Sequence, residues 1–524
     1  MKLPALIASI IIATAAANSF SQSPLGLPLN GPLTSEYSPS ISANGRVMLL
    51  EATTGENDEP EFVISTQKGG VWSRPEAVPG VNSAANKLNY TGAAFISYDG
   101  NSIFFASNRY GGIGNSDIWY MERAGNTWTA PKNLAKPVNS LSYDGDPCIS
   151  ADGKYLYFAR CSSKAAGGEN CCKIMVSEKV GKDGWKEPKE LPAPVNMGCE
   201  AAPRILPDGK TLLFSSIRAK GKGGYDLYES KMKDDGTWAE PVALDFINTS
   251  KDDSYATVPA SGDIIYYTGP AKLGTDIYRN RIPDALQGEK IILLQGIVKN
   301  GESQQPLPAR TVIYSKKGLA LNNTASDGSY TTILAKGDKY DFSISANDKG
   351  YTFYSDFFNL DTLTKYKFTQ QDVKLLPLKA NVSFVLKNLT FDPNSAKISQ
   401  SSSYEMERLV RLLKDNVYIK AEIAAYTDEV KKDSVATAEL TEEVADTLIT
   451  RDTLNNEVKV IKKFYTNDRT QKEAEAVVNY LALKGIPKSR LTPKGYGSAK
   501  PLAPNTNDAN RLLNRRVEFK VISN

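Results

Sequence analysis

The sequence contains no histidine. That absence removes Ser-His-Asp and Cys-His nucleophile pairs, HExxH zinc sites and every imidazole base. Carboxylate, lysine or tyrosine chemistry is all that is left, and no motif pairs a nucleophile with a base, so the chain reads as non-catalytic, without metal or cofactor. Charge of one sign is also scarce. Lys and Arg number 63 against 59 Asp and Glu, a net of +4 with no basic block, which speaks against nucleic-acid binding. Long apolar runs are missing too. The longest, residues 3–17, falls short of the roughly 20 residues a membrane helix needs.

That run has another reading. Met1 and Lys2 precede it as a short basic region, and Ser19 and Ser21 place small residues at −3 and −1 before Gln22. The pattern predicts a secretory signal peptide over residues 1–21. With no cysteine near the cleavage point, a lipid anchor there is not expected. The mature chain is expected to be exported, with no transmembrane segment.

At 524 residues, about 150 per domain suggests three or four domains. Repeats organise the first half. Trp72-Ser-Arg-Pro75, Trp128-Thr-Ala-Pro131, Trp185-Lys-Glu-Pro188 and Trp238-Ala-Glu-Pro241 recur every 53 to 57 residues. Turn signals keep step at Asn44-Gly45, Asp99-Gly100, Asp152-Gly153, Asp208-Gly209 and a reversed Gly262-Asp263. Asn30, Asn82, Asn139, Asn196 and Asn248 complete a fifth period. Short β runs between such turns suit four-stranded blades. The last repeat lacks its W-x-x-P strand, while residues 23–30 resemble a blade ending, so the N-terminal strand is expected to close the ring and remove exposed edges. The S-x-D-G, F-x-S and G-G-x-x-D-I-Y elements resemble the TolB-type, WD-like repeat, which implies a five-bladed all-β propeller over residues 22–285 that binds protein.

Two clusters stand out there. Cys148, Cys161, Cys171, Cys172 and Cys199 fall in or beside the third repeat, and in an exported chain they read as disulfides, with Cys161 joined to Cys171 or Cys172; a thiolate metal site is the alternative. Glu36, Thr91, Asp144, Glu200 and Ser254 recur six residues before the turns. They either gather at one mouth of the ring to take a cation or basic segment, or each carboxylate ties down nearby backbone N–H groups.

From Ile291 the period changes. Pro306-Leu-Pro308, Asp327-Gly-Ser-Tyr330, Gly337-Asp-Lys-Tyr340 and Lys349-Gly-Tyr351 punctuate short strands over residues 286–378. This stretch resembles the carboxypeptidase regulatory-like domain, which implies a transthyretin-like β-sandwich, read here as a spacer or docking module.

Residues 379–524 read as α+β. Asn388-Leu-Thr-Phe-Asp-Pro-Asn-Ser-Ala396, Thr427-Asp428, Gly495-Tyr-Gly-Ser-Ala-Lys-Pro501 and Asn514-Arg-Arg-Val-Glu-Phe519 appear in that order. Ala474, Val477, Val478 and Leu481 give a helical face ending at Gly485 and Pro487. Together these resemble the OmpA C-terminal (Pal-like) domain, which implies non-covalent peptidoglycan binding. The resemblance assigns the ligand's ammonium to the T-D aspartate, here Asp428 beside Thr427, and its carboxylate to an arginine on the next helix. Glu473 occupies that arginine's place, so Arg469, one turn earlier, or the adjacent Lys472 is the expected stand-in, with Arg469 the better placed and Arg516 in support; Arg515 reads equally well as an ordinary surface ion pair. Residues 429–467 form an insert longer than the family's.

The combination is similar to Bacteroidota cell-envelope proteins, some of which link type IX secretion to peptidoglycan. It implies a periplasmic tether beside the outer membrane and cell wall, gripping peptidoglycan at one end and an outer-membrane or secretion-system protein through the propeller. The alternative is an envelope scaffold whose peptidoglycan site is degenerate.

Overall fold

The computed structural model describes residues 23–32, 34–53, 60–82, 91–125, 127–161, 171–181, 184–272, 274–316, 318–451 and 456–523. The expected signal peptide and the loop 162–170 lie outside them. The chain falls into two compact units: residues up to Glu122 with Thr129–Glu289, and Arg123–Trp128 with Lys290–Asn524.

The first unit is a succession of five antiparallel sheets. Their first strands are Glu36–Ile41, Thr91–Ile96, Tyr143–Ile149, Cys199–Ile205 and Ser254–Thr257. Each first strand hairpins into a second through the expected turn. Asn44, Asp99, Asp152 and Asp208 accept the N–H two residues on at 2.9–3.1 Å. Glycine follows because the next position needs φ near +70°. A two-residue fourth strand then pairs with the third. In the fifth sheet that role falls to Ser23–Pro24, which pair with Arg279 and Tyr278.

The periodic asparagines explain themselves. Each holds both the N–H and the C=O of one third-strand residue: Asn30 on Ile277, Asn82 on Phe62, Asn139 on Ile118, Asn196 on Ile174 and Asn248 on Leu227. Asn30 reaches across 247 residues of sequence to do so. Asn30→Ala strips Ile277 N of its acceptor, while Ile277 O keeps Leu25 N at 2.8 Å, and should lower stability by about 1–3 kcal/mol. Deleting residues 23–30 should also expose the third-strand edge and promote aggregation. Unchanged melting and solubility in both variants would contradict this closure.

Every first strand carries a bulge at the same place, and the bulged residues Ser38, Ala93, Asp146, Ala202 and Tyr255 all have φ of 47–52°. Left-handed backbone costs a non-glycine residue roughly 1–2 kcal/mol. The bulges turn N–H groups toward neighbouring sheets: Ser38 donates to Thr268 Oγ1 of the fifth sheet, Ala93 to Glu51 of the first and Ala202 to Asp146 of the third. The first sheet is thereby bonded to both the second and the fifth. Arg204, wholly buried, reaches the carbonyls of Pro147 and Ala94 on two other sheets.

The carboxylates of the inner set turn back on their own chain. Glu36 accepts from Gly31 N, Asp144 from Ser140 N, and Glu200 from Met197 N at 2.7–3.1 Å. Asp253, not Ser254, does this in the fifth sheet, through Thr249 N. No group of three or more Cys, Asp or Glu able to hold a metal occurs among the described residues. Disulfides join Cys161 to Cys172 and Cys171 to Cys199, leaving Cys148 buried and free. Non-reducing peptide mapping should recover those two links and one free thiol; five free thiols would contradict the pairing.

In the second unit, two four-stranded sheets pack on a core that includes Leu294, Leu334, Phe342 and Ile344. A further sheet follows, in the order Ser383–Val385, Arg516–Ser523, Lys420–Tyr426, Leu491–Gly495, with helices α1 (Ser403–Asp415), α2 (Thr470–Leu483) and α3 (Asp508–Asn514). α1 buries Met406, Leu409, Leu412 and Leu413; α2 buries Ala474, Val477, Val478 and Leu481, the face read from the sequence. Phe353 and Leu378 join that same core. The expected boundary at 378–379 therefore lies inside one packed unit. The insert forms a ribbon of Lys432–Asp433, Glu442–Arg451 and Glu457–Thr466, most of it exposed.

Candidate functional site

Strand Lys420–Tyr426 ends in Thr427 and Asp428, and the parallel strand Leu491–Gly495 delivers the G-Y-G motif beside them. Thr427 N donates to Gly497 O at 2.9 Å. A Cβ on Gly495 would stand 2.3 Å from Gln471 N, so only glycine lets the first turn of α2 close onto this strand end. Tyr496 stacks on Tyr426 with ring centroids 4.9 Å apart.

The Asp428 carboxylate, 6% exposed, meets two arginines of the α3 region. Arg515 grips it at both oxygens, Nε to Oδ1 at 2.7 Å and Nη2 to Oδ2 at 2.9 Å. Arg511 Nη1 adds a bond to Oδ2 at 3.2 Å. Four residues apart, the two arginines share one side of the chain as it leaves the helix. Their side chains are 36% and 57% exposed, so N–H groups remain open to solvent. Asn505 fixes the Asp428 carbonyl at 2.6 Å and is itself held by Asn514 at 2.7 Å. Burial alone would raise the carboxyl's pKa; the bonds from Arg515 and Arg511 outweigh it and hold the group at about 2. Its stabilising pairs are complete above the ordinary carboxylate range and are lost as pH falls through about 2.

The cations expected from the sequence are engaged elsewhere. Arg469 faces the insert, its Nε 3.4 Å from Glu442 and its Nη2 donating to Thr441 Oγ1 at 2.9 Å. Lys472 also binds Glu442. Arg516 lies 4.0 Å over the Tyr426 ring and donates to Glu518 at 2.7 Å. Asp428 has Arg515 and Arg511 as its ion-pair partners, while Arg469 and Arg516, the residues expected to meet the ligand's carboxylate, lie against Glu442 and Glu518. The physical reason is the insert: its first long strand begins with Glu442 directly over the start of α2. The N-R-R motif named Arg516, with Arg515 read equally well as an ordinary surface ion pair, and Arg511 had no sequence signal beyond its i, i+4 spacing. Thr427 Oγ1 donates to Asp428 Oδ1 at 3.2 Å, as a positioning contact.

Glu473 stands where the resemblance wants an arginine. Burial first, and then the neighbouring Asp468, push its carboxyl up to about 7 against the pull of Arg469. The folded state keeps a proton that the unfolded chain releases near pH 4.5, so stability falls as pH rises from there to 7. Glu473→Gln should flatten that slope and raise stability at pH 8, on the order of 3 kcal/mol at most. Urea midpoints at pH 5 and 8 check it; an unchanged slope would contradict it.

Among known proteins, outer membrane porin F of Pseudomonas fluorescens is 25% identical over 142 residues, 27% of this chain and 34% of the porin. The chain thus spans about a third of that relative's length. A MotB-like protein from Desulfovibrio vulgaris is 23% identical, with TM-score 0.19, over 27% of this chain and 74% of that one. TolB from Agrobacterium tumefaciens is 16% identical, with TM-score 0.29, over 62% and 90%. TM-scores this low support no functional inference. Residues 390–515 match the OmpA family, and the chain therefore carries an OmpA-family domain at its C-terminus.

Proposed function

We propose that this protein is a non-catalytic tether of the cell envelope, exported by residues 1–21 and held to peptidoglycan through Asp428, Arg511 and Arg515. The observation that carries the reading is the carboxylate held at about 2 beside two half-open guanidinium groups. A stem-peptide residue bearing both an ammonium and a carboxylate meets complementary charge on each side: the outward N–H groups of the arginines for the carboxylate, and for the ammonium the Asp428 carboxylate, once the ammonium displaces the long bonds from Thr427 and Arg511, both 3.2 Å. The five sheets of the first unit are read as propeller blades, and the two sheets of residues 286–378 as a transthyretin-like sandwich. The propeller would hold a protein at the outer membrane, with type IX secretion as the setting that the domain combination suggests.

The test is co-sedimentation of the mature chain with purified sacculi. Saturable binding, released by free stem peptide, is expected. A chain that stays in the supernatant would leave the scaffold reading instead.

A further inference from the structure

Where one sheet of the first unit meets the next, the fold sets a third-strand residue beside a first-strand residue of the following sheet. The asparagine contacts mark the third-strand position as the one before Ile118, Ile174, Leu227 and Ile277, namely Asp117, Lys173, Asp226 and Asp276. The bulges mark the first-strand position, two residues ahead of the left-handed one: Asp144, Glu200, Asp253 and, in the first sheet, Glu36. Backbone bonds hold the strands together there, Asp144 N on Ser116 O at 2.9 Å and Asp253 N on Tyr225 O at 2.8 Å.

Each of these first-strand carboxylates gives one oxygen to its own turn. The second oxygen meets a cation in two sheets: Asp144 Oδ1 takes Arg160 at 2.6 Å, and Glu200 Oε2 takes Lys173, across the junction, at 3.3 Å. The junction of the fourth sheet with the fifth breaks that pattern. Asp253 Oδ2 accepts from Thr249 N at 2.5 Å, while its Oδ1 is buried with no partner. Across from it stands Asp226, whose Oδ2 accepts from Lys222 N at 2.6 Å and whose Oδ1 is also buried with no partner. The two residues are 0% and 1% exposed. Among the described residues no Lys or Arg pairs with either, and the Lys222 ammonium goes to Asp245. Burial first, and with it the Asp226 charge, works against ionising Asp253. The other junctions differ. Asp117 has both oxygens bonded, and Asp276, opposite the unpartnered Glu36 Oε2, is only partly buried.

We propose that Asp226 Oδ1 and Asp253 Oδ1 bind a calcium ion, in the position that the Lys173 ammonium takes one junction earlier. Two buried carboxylates need positive charge beside them, and one divalent ion neutralises both. Their hard oxygens suit calcium, and an aspartate side chain ends two bonds short of a lysine, which leaves room for the ion. With only two carboxylates, neutral oxygens complete the shell: carbonyls, the Thr249 hydroxyl or water. The ion ties the fourth sheet to the fifth, as the Lys173–Glu200 pair and the Cys171–Cys199 disulfide tie the third to the fourth.

The test is thermal melting of the EDTA-treated mature chain with calcium chloride, or with sodium chloride at matched ionic strength. Saturating calcium should raise the first unit's melting point by about 5 °C or more, and sodium should not. Asp226→Lys installs the Lys173 arrangement. It should melt above the calcium-free wild type and no longer respond to calcium. Asp253→Asn should lose the response as well, and calorimetry should count one calcium fewer in each variant. Should one variant fail to fold, the other still reads the site. A wild type indifferent to calcium, or equally responsive to sodium, would overturn the proposal. So would a calcium response that survives in a folded variant.

Discussion

Arg408→Ala should be the most damaging single change in the second unit, costing about 3–5 kcal/mol. Arg408 sits on α1, 5% exposed, and reaches out of the OmpA-family domain into the preceding sheets. Its Nη2 meets Asp341 Oδ2 at 3.0 Å and its Nε meets Glu405 Oε2 at 3.0 Å. Ser355 and Asn388 complete the network on Glu405 and Asp341, at 2.9 and 3.0 Å. Alanine would leave two carboxylates buried without a cation, a larger penalty than the pairs are worth intact. The second unit's melting point should fall by roughly 6 to 20 °C. Apolar side chains of similar size at all three ionic positions should recover most of the loss, because the desolvation penalty disappears with the charges. A melting point unmoved by Arg408→Ala would contradict the buried network.

Asp428→Ala should weaken sacculus binding roughly 10- to 150-fold, the cost of one charged hydrogen bond at about 1.5–3 kcal/mol. Arg515→Ala should come close, since it removes a cation from the ligand and loosens the carboxylate. Arg469→Ala should do little, because Glu442 already holds that guanidinium. Binding isotherms with fixed sacculi separate the three. Equal loss from Arg469→Ala and Arg515→Ala would return the site to the start of α2.

Much of this architecture was legible because it rests on local chemistry. The Asx turns, the apolar face of α2 and the G-Y-G motif each state their geometry within a few residues. The asparagine period was visible as a count, but its purpose was not, since Asn30 and Ile277 meet only after the first unit folds. The surroundings of the candidate cations were hidden for the same reason. Nothing near Arg469 in sequence shows that Glu442 will arrive over it from a ribbon 27 residues upstream. The charge network joining Asp341 to Arg408 is likewise invisible to any reading that cuts the chain at residue 378.

The most direct measurement follows the arginine side-chain N–H signals by NMR while a soluble stem peptide is titrated into the mature chain. Ligand held between Asp428 and its two arginines should shift the Nε–H resonances of Arg511 and Arg515 and leave those of Arg469 and Arg516 in place. Shifts confined to Arg469, or none at saturating peptide, would contradict the account.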